Sequence, residues 1–369
     1  MSHISLVCTE CGRSHRADMH TLGCGECGAP LDVEYKPDAG HTIRWSGFDV
    51  PVPYHSHVPG VSMGEGDTPI VPLPKISESL GATDLFGKLE FMNPTGSFKD
   101  RGTATMLSVA AEHGVTEVVE DSSGNAGASV SAYSARAGMK AHVFAPSTAP
   151  VAKLGQIRVY EARTHAIPGP REASTDAAVG FQRENGLVYA SHNLSPYFVE
   201  GTKTFAYEVA AQMSPLPDHI VIPVGNGSLL MGCWKGFSEL LDGGALDTMP
   251  RLHAIQAEAV MPIAAEFQGL EWSPGESTLA GGIAVGSPPR KNQVLRAARE
   301  SGGVVLAVSD ESIVRWQKRL AASEGIFAEP TSAAALAGIE LLHQRGHIKK
   351  DETVLAAITG FGLKDALPE

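Results

Sequence analysis

Three groups of residues in this 369-residue chain have types and spacings suited to chemistry. Cys8, Cys11, Cys24 and Cys27 form two CxxC pairs with 12 residues between them. A glycine follows each pair, at Gly12 and Gly28, and lets the backbone fold beneath an ion so that two thiolates point at it. Four thiolates complete a tetrahedral zinc shell and leave no position for water or substrate, so the expected role is structural. His15 and His20 lie between the pairs and are expected at the surface, because the cysteines already fill the shell. Cys233 stands alone. The first ten residues lack the charged-then-apolar layout of a secretion signal, and a reducing compartment disfavours the alternative of two disulfides.

The second group is Asn93-Pro94-Thr95-Gly96-Ser97-Phe98-Lys99-Asp100-Arg101-Gly102. A lysine used for Schiff-base chemistry needs a fixed position, a polar anchor and a flat apolar neighbour, and Ser97 and Phe98 supply both kinds of group. The residue types fit an exposed Lys-Asp-Arg cluster at a helix start equally well. The third group is Gly225-Asn226-Gly227-Ser228, after the apolar run His219–Val224 and before a helical stretch from Leu229. Glycines there would let backbone N–H groups approach an anion. It is neither a Walker loop nor a GxGxxG dinucleotide fingerprint, and taken alone a tight strand-to-helix turn explains it as well.

These groups need a frame. From about residue 84, short β-rich runs alternate with Ala-rich helical stretches, the pattern of an α/β fold. The spacing predicts strands at 117–120, 141–145, 220–223, 304–308 and 354–358, and helices at 102–113, 127–137, 229–241, 311–322 and 332–342. Several strands run into Gly/Ser/Thr loops, and in parallel sheets such loops at strand C-termini bind ligands. The stretch Lys36–Gly60, rich in Pro, His and Gly, reads as a linker. A net charge of −12 argues against nucleic acid and anionic membrane as partners. No apolar stretch reaches about 18 residues, so a cytoplasmic location is expected.

Seven ordered blocks carry a resemblance: Gly64–Pro69, Asn93–Gly102, Ser122–Asn125, Glu200–Thr204, Gly225–Ser228, Glu329–Ala333 and Thr359–Asp365. Over roughly residues 60–366 the chain resembles the threonine synthase family, in the tryptophan-synthase-β group of fold type II pyridoxal-phosphate enzymes. The resemblance implies two α/β domains around an interdomain cofactor cleft, pyridoxal 5'-phosphate as cofactor, a small amino acid as substrate and a homodimer. With the N-terminal zinc ribbon it gives expected boundaries of 1–35 for the ribbon, 36–92 with 200–369 for a large cofactor-binding domain, and 93–199 for a small domain. It implies that Lys99 holds the cofactor covalently and moves protons, with Phe98 against the ring. Asn125 would bond the cofactor's 3′-oxygen. Ser123, Gly124, Asn125, Ala126 and Gly127 would clasp the substrate carboxylate. Gly225, Asn226, Gly227, Ser228 and Leu229 would hold the phosphate, and Thr359 would face the pyridine nitrogen.

The departures concern the substrate. Where the family usually has Asn-x-x-Asn-Pro-x-Arg, this chain reads His192-Asn193-Leu194-Ser195-Pro196-Tyr197-Phe198, so Phe198 stands where a phosphate-binding arginine is expected. Charge-assisted bonds are worth about 1.5–3 kcal/mol each, so the loss matters for a dianionic substrate. The phosphate loop lacks a second asparagine, and Ala280–Gly286 lacks a basic residue often found there. The order of the seven blocks nevertheless makes conversion of O-phosphohomoserine to threonine and phosphate the leading expectation. Elimination or replacement on serine, threonine or a substituted serine is the alternative, and a non-catalytic zinc-ribbon scaffold is the reading from another class.

Overall fold

Alternation of short buried apolar runs with Ala- and Leu-rich amphipathic stretches produces one parallel and one mainly parallel sheet, each belonging to its own compact unit. A computed structural model describes residues 3–36, 41–55, 61–81, 84–149, 151–169, 171–273 and 277–365. One unit comprises Met1–Glu65 with Lys99–Thr204, the other Gly66–Phe98 with Phe205–Glu369.

In the first unit, strands Arg163–Ile167, Lys140–Pro146, Glu117–Glu120 and Val188–Tyr189 lie side by side in that order, all parallel. Helices Lys99–Glu112 and Asn125–Arg136 pack together, and their Ala, Val and Leu side chains enter the core. The cysteine-bearing segment forms an antiparallel sheet of Ser14–Arg16, Ile4–Cys8 and Leu31–Tyr35. It is not a separate body. Ile4, Leu6, Leu31 and Val33 share one buried cluster with Met106, Leu107, Ala110 and Tyr197. Tyr197 donates to the Asp18 carbonyl at 2.8 Å, and Tyr35 donates to Glu200, which also accepts from Lys203 at 2.7 Å.

The expected linker is partly a hairpin. Its positions 37–40 and 56–60 lie outside the described residues, but Thr42–Trp45 pairs antiparallel with Phe48–Pro51. The turn is Ser46-Gly47, with φ of 47° and 88°, the left-handed pair that a two-residue hairpin needs. Val50 and Val52 are buried, and Val61 and Tyr54 pack in the first unit's core. Residues 36–65 thus go with the first unit, whereas the sequence reading put 36–92 in the large domain. The reason is that apolar side chains of this segment, and bonds such as Val61 N–H to Ser108, attach it to the Lys99–Glu112 helix.

The second unit holds a six-stranded sheet in the order Val305–Val308, Arg251–Ala257, His219–Pro223, Thr353–Ala357, Asp84–Lys88, Ile70–Pro72. Only the last strand is antiparallel. Helix Pro330–Gln344 supplies much of the core through Ala333–Ala337, Ile339 and Leu342. The predicted strands and helices coincide with observed elements, with ends that match or are shifted by one to three residues.

At one end of this sheet the backbone fixes a chain of neutral imidazoles. Val304 N–H donates to His253 Nδ1 at 3.2 Å, so His253 Nε2 carries the proton and donates to His219 Nδ1 at 2.8 Å. His219 Nε2 then donates to Glu352 at 3.0 Å. Burial opposes ionisation of Glu352, but bonds from the Lys349 N–H, His219 and Arg251 outweigh it and hold the carboxyl down at about 2. A folded-state value below the ordinary 4.5 means that the unfolded chain binds the proton more readily, so this contribution is complete above pH 4.5 and is lost as pH falls toward about 2. Glu352→Gln should lower the melting temperature at pH 7 by a few degrees and flatten its decline between pH 4.5 and 2. An unchanged acid limb in a calorimetric pH series would contradict this.

Candidate active site

The helix Lys99–Glu112 opens on the lysine, and the two residues after it are fastened. Asp100 is fully buried and accepts from Ser129 Oγ at 2.7 Å; Arg101, 2% exposed, donates to Thr204 Oγ1 at 2.9 Å. An exposed charged cluster is thereby excluded. Lys99 itself is half-buried, and its Nζ lies 5.6 Å from the centroid of the Phe198 ring. Phe198 is completely buried and occupies the space beside Gly102, where a Cβ would sit 2.5 Å from the ring.

Ser129 is one turn along the helix Asn125–Arg136, so the Asp100–Ser129 bond sets the starts of the two helices side by side. Ser123, Gly124 and Asn125 are half-exposed at the head of the second helix, while Ala126 and Gly127 are buried. No side chain caps this helix. Ser122 Oγ instead accepts from Gly124 N–H at 3.2 Å, and a helix N-terminus is a place where backbone N–H groups can meet an anion. Gly127 is required by the loop's path, since a Cβ there would lie 1.8 Å from the Ser122 carbonyl oxygen.

At the end of strand Glu117–Glu120 the same unit holds a buried polar cluster that sequence reasoning passed over. Glu120 pairs with His192 Nδ1 at 2.9 Å, and Asp121 accepts from Arg171 at 3.2 Å and Thr175 at 2.5 Å. Burial, then the Asp121 charge, pushes the Glu120 carboxyl well up. Burial, then the Lys99 charge, pushes the His192 imidazole well down. The signal available in the sequence was position: these carboxyls end a parallel strand, where ligand sites form.

In the second unit, strand His219–Pro223 leads into Gly225-Asn226-Gly227 and the helix Ser228–Asp242. Gly227 caps that helix at φ 88°, and a Cβ would meet Val294 Cγ2 at 2.3 Å. The backbone of Gly225 lies against the 281–285 loop, with room for no side chain: a Cβ would come within 3.0 Å of Ile283 Cα. That loop is tied on by Gly282 N–H to Thr331 Oγ1 at 3.0 Å. Next to Thr331, Ser332 Oγ bonds Thr359 Oγ1 at 3.0 Å and accepts from Gly360 N–H at 2.9 Å. Phe98 N–H donates to the Thr359 carbonyl at 3.0 Å. One set of contacts therefore joins the Gly225–Ser228 turn, Thr359 and Phe98. Leu229 is buried, so only its backbone can serve a ligand.

Comparison with known proteins identifies the family. The pyridoxal-phosphate dependent enzyme family model matches residues 61–360. The threonine synthase of Methanocaldococcus jannaschii is 36% identical over 377 residues, covering 97% of this chain and 92% of that protein. The chain belongs to the threonine synthase family of pyridoxal-phosphate dependent enzymes. A Bacillus threonine synthase (strain ULM1) is 39% identical over 315 residues, 85% of this chain and 88% of its own. Among solved structures, O-ureido-L-serine synthase superposes with a TM-score of 0.70 at 24% identity, over 83% of this chain and 92% of that one. The processed threonine deaminase isoform 2 of Solanum lycopersicum gives 0.70 at 21%, over 80% and 79%. These two similarities show the fold, that of fold type II enzymes.

The residues present suit the family's cofactor. Asn226 Oδ1 and Ser97 Oγ are buried with no hydrogen-bond partner among the described residues, and the helix behind Gly227 has no side-chain cap. A phosphate satisfies such a turn through backbone N–H groups and the helix dipole. In the cysteine segment, Sγ separations are 3.4 Å for Cys8–Cys27, 3.7 Å for Cys11–Cys24 and 3.8 Å for Cys11–Cys27. Tetrahedral zinc with bonds of about 2.3 Å places sulfurs about 3.8 Å apart. His20 is exposed as expected, but His15 is half-buried with Nε2 3.3 Å from Cys24 Sγ, because its strand runs beside Ile4–Cys8.

The Gly127 contact yields a direct test. Gly127→Ala must displace the Ser122 carbonyl and should cost about 1–3 kcal/mol in urea unfolding. Gly281→Ala, where a Cβ meets nothing within 4 Å, should be close to neutral. Equal stabilities would mean that the loop yields without cost.

Proposed function

We propose that the chain is a pyridoxal-phosphate lyase that converts O-phosphohomoserine to threonine and phosphate. The observation that carries the reading is Lys99, half-buried at the head of a helix whose next two residues are locked in place, within the family's ordered motifs. The cofactor, when bound, supplies an electron sink for elimination and replacement next to the amino acid's α-carbon. Lys99 holds it and moves protons at Nζ. Asn125 bonds the cofactor's 3′-oxygen, and the N–H groups of Ser123–Gly127 orient the substrate carboxylate at a helix N-terminus. Gly225–Leu229 hold the phosphate, and Phe98 lies against the ring. Thr359 offers a hydroxyl toward the pyridine nitrogen, which, unlike a carboxylate, does not demand a protonated ring. The four cysteines hold a structural zinc. A homodimer in the cytoplasm completes the reading; among the described residues no helix is long and apolar enough to cross a membrane.

One observation favours a second reading. Phe198 brings no cation to the place of the expected arginine, and Lys203 is committed to Glu200 at 2.7 Å within the protein interior. Such a site suits elimination or replacement on serine, threonine or a substituted serine.

Turnover by the cofactor-loaded protein separates them. O-phosphohomoserine should give threonine and phosphate in equal amounts, at a rate exceeding that with serine, threonine or O-phosphoserine. No phosphate from O-phosphohomoserine, with release of keto acid from serine or threonine, would establish the second reading. Inactivity on every substrate would remove both.

A further inference from the structure

Besides the cysteines, the first unit gathers three histidines from segments far apart in sequence. His3 precedes the strand Ile4–Cys8, His41 precedes the hairpin, and His55 follows it. Their ring centroids are 4.1 Å (His3–His41), 4.2 Å (His41–His55) and 5.1 Å (His3–His55) apart, and one nitrogen from each lies within 4.8 Å of the others. His3 is 6% exposed, and neither ring nitrogen has a hydrogen-bond partner among the described residues. Burying the His3 imidazole with both nitrogens unsatisfied is costly, and a ligand shared with the two adjacent rings would remove that cost.

The fourth member explains the orientation. Glu112, the last residue of the helix that begins at Lys99, takes the His55 backbone N–H at 3.0 Å and pairs with His55 Nδ1. A carboxylate on Nδ1 holds the ring with Nε2 on its far side, the arrangement that orients metal-bound histidines. We propose that His3, His41 and His55 bind a divalent transition-metal ion of the zinc class, with Glu112 orienting His55. Three imidazole nitrogens suit zinc, and they leave a coordination position for water. Rotation about the imidazole side-chain bonds brings the nitrogens from their present spread to bonding distance. The ion fastens the first strand and both flanks of the hairpin to the end of the Lys99 helix. This site is independent of the cysteine cluster and of the proposed reaction.

The test is zinc content by mass spectrometry of the full, cofactor-loaded chain, made without a histidine tag, equilibrated with equimolar-per-site zinc and dialysed. The wild type should retain one ion more than the His41→Gln/His55→Gln variant, while Cys8→Ser should keep the histidine-bound ion. Zinc content equal in the wild type and the histidine variant would overturn the proposal. Should that variant not fold, diethyl pyrocarbonate labelling of the wild type decides: zinc should slow modification of His41 and His55 at least fivefold and leave exposed His20 unchanged. Unslowed modification of His41 and His55 would overturn the proposal equally.

Discussion

The bond between Asp100 and Ser129 is the constraint on which the first unit's chemistry depends. A fully buried carboxylate is tolerated only where it is hydrogen-bonded, and this bond fixes the start of one helix against the first turn of another. The consequence is positional. Lys99 cannot drift while its neighbours are held, and the loop Ser122–Gly124 enters the second helix beside it. Arg101 adds a second anchor on Thr204, and the wholly buried ring of Phe198 sits under the lysine's Nζ. An aromatic face near Nζ and anchored residues directly after it thus surround Lys99.

Under the proposed function the second unit meets a different requirement, that of holding an anion without spending a cation. Its Gly225–Ser228 turn relies on close backbone approach, on the positive φ of Gly227, and on a helix of 15 residues without a side-chain cap. Thr359 and Ser332 share a hydrogen bond, so the hydroxyl's orientation is set by its neighbour. Neither side chain is charged, so the site does not force a fixed protonation state on a ring nitrogen placed there.

Much of this was legible in the sequence, for identifiable reasons. Strands such as Glu117–Glu120 and helices such as Asn125–Arg136 carry their period locally, and the motif around Lys99 is contiguous. The paired cysteines announce their geometry by spacing. What escaped were features whose parts are distant in sequence. The Glu120–His192 pair spans 72 residues, and the His3–His41–His55 group has no motif spacing at all. The hairpin at 42–51 was hidden because Pro, Gly and His nearby resemble linker composition, although Ser46-Gly47 between two alternating runs carried the turn signal.

The central claim is that Lys99 is the residue that bonds the cofactor. Reduction of the cofactor-loaded protein with sodium borohydride, followed by digestion and peptide mass mapping, tests it most directly. The account predicts a single reduced pyridoxyl adduct on Lys99 and loss of the visible absorption band. An adduct on another lysine, such as Lys203 or Lys364, or a visible band that borohydride leaves unchanged, would contradict it.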